Sequence, residues 1–438
     1  MIRLIYLLFL LLPAMLSAAT LTLQEILDLA EKQNHEIKLA RADLDYAGAQ
    51  RQEAISNALP HVEVGVGYNR NFLENIFYFT VTDSAGRPVT QSFKASFRNE
   101  YRLNATLSQT IYSFGKIGSA IQVAGYYRHF TQHQFSSEWQ RIITEVKKAF
   151  YRALLAQKVL EVSRESENSA RENYLNFKTK YDAGAVSEFD LLQAEVRWEN
   201  SIPDTMQAHK NYRLAINSLK SIIDFPLREE LILEGNLEQF PPLPEVMDMD
   251  SIFSRRPDYN MLLWEKRMRE KRVTMEFANH LPTLAGNLTY TYGAQSDRFA
   301  LDNDNDNIIL GISLNIPIFS GGYTSAQVQK AKIDVKKVGT QIQMANDNIR
   351  IEIQNLILRM REAYQRIQAA QKSVNTARRA FEIAQTRVEN GLATQLELKD
   401  SRVFLDRSLL NYYSAIYDYL ESRFELERAQ GKVRKEVY

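Results

Sequence analysis

The chain has 438 residues, with 54 lysines and arginines against 53 aspartates and glutamates, a formal net charge of +1 and no cysteine. So even a balance offers no broad basic face, and nucleic acid is not an expected partner. The missing thiols exclude disulfides, thiolate metal sites, cysteine catalysis and a lipid tether on cysteine. The length is near the limit for one core, so several packed units or repeats are expected.

The N-terminus reads Met1, Ile2, Arg3, an apolar run from Leu4 to Leu12, then Pro13 and the small residues Ser17, Ala18 and Ala19. This is the pattern of a secretory leader cleaved after Ala19, and the mature chain is expected outside the cytoplasm. No later window holds roughly 18 unbroken apolar residues, so no transmembrane helix is expected.

Next comes a helix over 23–57, ending in Leu-Pro within "NALPHVEVGVGY" at 57–68. After the proline the apolar period changes from 3.6 to 2. Val62, Val64, Val66 and Tyr68 alternate with Glu63, Gly65, Gly67 and Asn69, and Tyr101, Leu103, Ala105 and Leu107 alternate with Arg102, Asn104, Thr106 and Ser108. Strands are therefore expected near 60–82 and 91–113.

From Pro88 to Pro203 no proline interrupts the chain, and Ile142, Val146, Phe150 and Leu154 recur at helical spacing. A helix over 119–183 is expected, on the order of 100 Å long. It stops at Gly184 in "YDAGAVSEFDLLQAEV" and restarts as a returning helix over 187–223, where Pro203 predicts a kink.

The second half repeats the plan. A helix over 259–279 ends in "NHLPTLAGNLTY" at 279–290, and alternation resumes at Leu284, Leu288, Tyr290 and Tyr292 and at Ile308, Leu310, Ile312 and Leu314. A helix over 323–390 carries Ile353, Leu356, Ile357, Met360 and Tyr364, and a returning one runs over 394–430. Between them, "VENGLATQLELKDSRV" at 388–403 aligns without a gap on the earlier glycine motif, roughly 207 residues on, as an internal duplication does.

The expected domains are the leader at 1–19, a first repeat at 20–224 with its tip near 184, a linker at 225–256, and a second repeat at 257–438 with strands near 282–297 and 307–319 and its tip near 391. The fold class is α plus transmembrane β, with two strands and a long helical hairpin in each repeat. Strands apolar on one face and small or polar on the other suit a barrel with a wet lumen. A soluble sheet with one buried face is the alternative for the strands alone. Four strands cannot close such a barrel and lipid-exposed edges cannot stay open, so several copies must pool their strands.

In the order and spacing of these landmarks the chain resembles the TolC-type outer membrane efflux proteins. "YSFG" at 112–115 is echoed by "FSGG" at 319–322, and Arg256, Pro257 and Asp258 resemble the family's Arg-Pro-Asp opening of the second repeat. Two departures are His35, where the family usually has proline, and a first outer loop around Asp83 to Gln91 longer than its counterpart near Asp302. The resemblance implies a homotrimer in outer membrane lipid of a Gram-negative bacterium, with a twelve-strand barrel continued by a helical tunnel across the periplasm. It also implies a passive exit channel that takes substrates from a periplasmic adaptor and an inner membrane transporter, for efflux or type I secretion. No enzyme activity and no cofactor are expected. An exported, non-conducting coiled-coil structural protein is the rival.

By the family pattern, acids six and nine residues after the second tip glycine constrict the periplasmic entrance, here Glu397 and Asp400. The tips, Gly184, Ala185, Val186, Gly391, Leu392 and Ala393, correspond to the adaptor-docking tips of that family. Each has a plainer reading. Thr394 to Glu397 and Ser187 to Asp190 have the spacing of local helix caps, Asp400 suits the dipole of a helix first turn, and the glycines permit the turn. His129 and His133 share a helix face without a third ligand nearby, and Asp302 to Asn307 lacks the glycine and glutamate of a calcium loop. No metal site is expected at either place.

Overall fold

The computed structural model describes residues 19–73 and 75–433. The expected leader lies outside the described residues except for Ala19, whose backbone pairs in the first strand. In chain order the elements are β1 (Ala19–Thr22), α1 (Leu23–Gln33), α2 (His35–Ser56), β2 (His61–Arg70), β3 (Ile76–Thr82), β4 (Pro88–Lys94), β5 (Asn99–Tyr112), α3 (Lys116–Asp182) and α4 (Glu188–Ile222). Then follow β6 (Leu231–Glu234), α5 (Met249–Arg255), α6 (Pro257–Phe277), β7 (Thr283–Ser296), β8 (Asn305–Asn315), α7 (Tyr323–Glu389) and α8 (Gln395–Ala429).

Two compact units emerge, and neither is one repeat. One combines the residues up to Asp43 with Gln132–Met261 and those from Ile342 on; the other combines Leu44–Thr131 with Leu262–Gln341.

The second unit contains a four-stranded antiparallel sheet in the order β2-β5-β7-β8. Its register aligns the alternating faces of all four strands: Val62, Leu107, Leu288 and Leu310 form one row, and Val64, Ala105, Tyr290 and Ile308 the next. The opposite face carries rows such as Gly65, Asn104, Thr291 and Asn307. The apolar rows are open to the surroundings, with Val66 82% and Leu310 73% exposed. At one end of that face Tyr68, Tyr101 and Phe299 cluster with ring centroids 5.2 to 6.0 Å apart, an arrangement suited to an interfacial aromatic girdle.

The strands expected as continuous over 60–82 and 91–113 are each divided. Asn71 ends β2 by donating its amide to Phe97 O and Glu100 Oε1, at 2.9 and 2.8 Å. Among the described residues β3 and β4 pair only with each other, joined by a tight turn in which Asp83 N donates to Arg87 O and Gly86 has φ +75°. The stretch expected as outer loop is thus strand from Pro88 on.

In the first unit the main core gathers Phe135, Ile142, Val146 and Phe150 of α3, Ile353, Met360 and Ile367 of α7, and Ile416, Tyr419 and Leu420 of α8. The helix expected over 23–57 is broken at Asn34. Thr22 starts α1 with a complete capping box: its hydroxyl accepts from Glu25 N and its own N–H donates to the Glu25 carboxylate at 2.8 Å. Asn34 then accepts from Ile37 N at 3.0 Å and donates to Ile222 O at 2.7 Å, so α2 begins against the end of α4.

The second repeat makes the same joint differently. Pro257 opens α6, where a missing N–H costs nothing, and buried Arg256 donates to Ala429 O at the end of α8. α4 is continuous across Pro203. The linker adds β6, parallel to β1, and its proline stretch is strapped to α8 by Tyr419 Oη to Pro241 O at 2.8 Å and Arg423 Nη1 to Pro242 O at 2.6 Å.

Candidate functional site

The two glycine motifs form near-identical turns. Gly184 (φ +70°) donates to Tyr181 O and Ala185 N to Lys180 O, both at 2.8 Å; Gly391 (φ +73°) donates to Val388 O at 3.1 Å and Leu392 N to Arg387 O at 2.7 Å. Both are helix C-caps in which a left-handed residue satisfies the last carbonyls. The returning helices are capped alike, with Ser187 Oγ accepting from Asp190 N and Thr394 Oγ1 from Glu397 N, each at 3.2 Å.

A small apolar cluster of Phe177, Ala194, Val388 and Leu398 joins the four helix ends, and Val186 and Ala393 pack against it half-buried. The tip residues therefore divide. Gly184, Ala185, Gly391 and Leu392 are exposed, whereas Val186 and Ala393 serve partly to hold the tips together. A Cβ at position 391 would touch nothing within 4 Å, so Gly391→Ala meets backbone strain alone. The expected cost is about 1–2 kcal/mol, read as faster amide exchange over 385–400 with the rest of the chain unchanged; unaltered exchange would show that the turn tolerates a side chain.

Glu397 makes only half of the capping box that its spacing suggests. Its N–H is bonded to Thr394, but its carboxylate lies 3.4 Å from Arg387 Nη1, while Arg387 Nη2 donates to Leu392 O at 3.0 Å. The acid thus ties the start of α8 to the end of α7. Asp400, one turn further, is exposed and makes no hydrogen bond or ion pair among the described residues. Its charge acts on Arg197 of α4, whose pKa burial lowers against the opposing pull of Asp406 and Asp400.

Sequence reasoning missed what lies between the hairpins. A groove of about 720 Å³ runs between α4 and α8, with Phe189, Leu192 and Val196 on one side and Leu396, Val403 and Asp406 on the other. Beside it Arg402 is 2% exposed: its Nε sits 2.8 Å from Asp406 Oδ1, its Nη1 3.5 Å from Glu165, and its guanidinium 5.2 Å from the Phe381 ring centroid. Ser166 of α3 donates to the other Asp406 oxygen at 2.8 Å. Burial raises the Asp406 pKa, outweighing Arg402 and that hydrogen bond. The signal was legible as Arg402 and Asp406 four apart on one helix, but burial of the pair was not. His129, the other candidate considered, stacks on Trp264 at 4.4 Å.

Comparison with known proteins places this architecture. The family model described as "Outer membrane efflux protein" matches residues 26–223 and 249–432. The outer membrane protein TolC of Vibrio cholerae is 20% identical, over 97% of this chain and 96% of its own length. The alkaline protease secretion protein AprF of Pseudomonas aeruginosa is 23% identical over 47% of this chain and 44% of its own. The crystal structure of the Campylobacter jejuni CmeC outer membrane channel superposes with a TM-score of 0.75 at 19% identity, covering 93% of this chain and 85% of CmeC. The chain belongs to the outer membrane efflux protein family.

Proposed function

We propose that three copies of this chain form a passive exit duct, pooling twelve strands into a barrel in the outer membrane of a Gram-negative bacterium and extending helices into the periplasm. The family is one of outer membrane channels rather than enzymes. The observation that carries the reading is the four-stranded sheet with an exposed apolar face and, among the described residues, no strand paired to either edge, β2 or β8. In lipid, open edges are untenable. Because each copy supplies an even number of antiparallel strands, β8 of one copy meets β2 of the next antiparallel, so the ladder closes without a change of pattern. No described helix is long and apolar enough to cross a membrane, a fact about helices that leaves a strand-built span untouched.

At the other end, the tips dock a periplasmic adaptor through Gly184, Ala185, Gly391 and Leu392, with Val186 and Ala393 bracing them, and an inner membrane transporter supplies the energy. Glu397 and Asp400 gate the entrance. Exposed Asp400, repeated around a narrow mouth, attracts cations and repels anions, and mutual repulsion favours bound counter-ions. The name of AprF favours a second cargo class, a secreted polypeptide, over small molecules alone.

Single-channel recording in a planar bilayer tests the reading. The wild-type chain is expected to give a small, cation-preferring current, and Asp400→Asn a larger or less selective one. Verified trimers in the bilayer that pass no current in either form would overturn conduction and favour the structural-protein rival.

A further inference from the structure

The β3–β4 hairpin is apolar on one face, and that face stands open. Its register pairs Phe77 with Phe93, Phe79 with Gln91 and Val81 with Val89 on one side, and Tyr78 with Ser92, Thr80 with Thr90 and Thr82 with Pro88 on the other. Phe77, Phe79 and Phe93 are 66%, 46% and 61% exposed. Two paired strands alone are marginal in water, so such a hairpin needs a partner on its apolar side.

The base of the hairpin is nevertheless fixed. Asn75 N donates to Ser96 Oγ at 2.9 Å and Ala95 N to Asn75 O at 2.8 Å. Lys94 Nζ lies 3.0 Å from the carboxylate of Asp297 in the β7–β8 turn, which also accepts from Arg98 N at 3.1 Å. By its place in the register Lys94 belongs to the mostly polar side. That side is thus held to the chain's own outer turn, and the phenylalanines are turned from it.

Depth excludes lipid as the cover. The hairpin joins β2 to β5 at the end of the sheet where Tyr68, Tyr101 and Phe299 cluster, so it lies beyond the aromatic girdle, among polar headgroups rather than hydrocarbon. Reach points to the axis of the barrel instead. Strands of seven residues extend about 23 Å, whereas twelve strands about 4.8 Å apart and tilted about 40° close into a ring of radius about 12 Å. A hairpin leaning over the mouth therefore arrives at its centre. Among the described residues the β7–β8 turn carries no hairpin of its own, so each copy brings one, and a three-fold axis sets three identical faces level.

We propose that the β3–β4 hairpins of three copies lean over the outer mouth and pack together at the axis, Phe77, Phe79 and Phe93 of each against the same residues of the others. The result is an apolar plug at the exit, a constriction that opposes water and ions by dewetting. This plug rests on the trimeric reading above and adds to it a second closure, at the end opposite the acidic entrance.

The absence of cysteine allows a test with one substitution at a time. In detergent dilute enough that separate trimers do not meet, a short bis-maleimide is expected to convert most Phe79→Cys protein to covalent dimers. Thr80→Cys, on the polar side, is expected to stay monomeric on a denaturing gel. Phe77→Cys is the second variant, should the first assemble poorly. Trimers by light scattering in which neither Phe79→Cys nor Phe77→Cys cross-links, or in which Thr80→Cys cross-links equally, would overturn the plug and leave the trimer standing. A chain monomeric in mild detergent and in membranes would overturn both.

Discussion

Arg256→Ala is expected to lower stability by about 2–4 kcal/mol, somewhat below the full cost of stripping a wholly buried ion pair. Its guanidinium holds Asp258 by two parallel bonds of 3.0 and 2.6 Å, Glu352 at 2.6 Å and Ala429 O at 3.1 Å, and so ties the start of α6 to α7 and to the end of α8. The Asp258 side chain is about half exposed, which is why the larger figure is not expected. Arg256→Lys keeps the charge but loses the fork and should fall between. Burial pushes the Asp258 pKa up, but the hydrogen bonds and charge of Arg256 pull it further down, for a net lowering. Its contribution is therefore present above the ordinary carboxylate range and lost as pH falls through the lowered value. Chemical denaturation at neutral and acid pH should show the wild type losing this increment in acid while Arg256→Ala lacks it throughout; equal stabilities at neutral pH would remove the joint from the account.

Arg402→Ala should destabilise the region below the tips by roughly 3–5 kcal/mol at neutral pH, because it leaves Asp406 charged, largely buried and without its cation. The double variant with Asp406→Asn should recover much of that loss, since no unpaired charge then remains. The pH dependence has the opposite sign to that at Asp258. The raised pKa of Asp406 means that its carboxyl favours the folded state most below the ordinary carboxylate range, and this is lost as pH rises through the raised value. Protection of amides over 398–409 is therefore expected to fall as pH rises from the ordinary carboxylate range through the raised value, more steeply in Arg402→Ala and hardly at all in Asp406→Asn. A pH-independent Arg402→Ala would show that Asp406 reaches solvent and that its burial is not what matters.

The contacts of Arg402 and of Glu397 bear on the proposed gating. Arg402 and Asp406 link α8 with α3 and α7 below the turns, and Glu397 links α8 to α7 at the turn itself. Parting the hairpins strains the first set, whereas loosening one tip needs only the second.

Period, punctuation and duplication were legible in the sequence because each is a local property. The change from a 3.6 to a 2 repeat at Leu59-Pro60 and Leu281-Pro282 marked helix and strand, proline-free stretches marked α3 and α7, and the two glycines marked both turns, since a left-handed C-cap strongly favours glycine. The family pattern followed from their order.

Pairing and burial were not legible, because they depend on residues far apart in the chain. Alternation showed that each strand has an apolar face, but only the register of β2, β5, β7 and β8 showed that the four faces form one band. Asn34 and Asn71 read as ordinary polar residues; they break a helix and a strand because Ile222 O in one case, and Phe97 O and Glu100 in the other, wait across the fold. Glu397 reads as half of a capping box from its spacing to Thr394, yet its carboxylate turns to Arg387, a choice made by the helix packed alongside. Local spacing settled where the chain bends and which face of each element is apolar; tertiary structure alone decided which charges are buried together and which apolar side chains stay exposed.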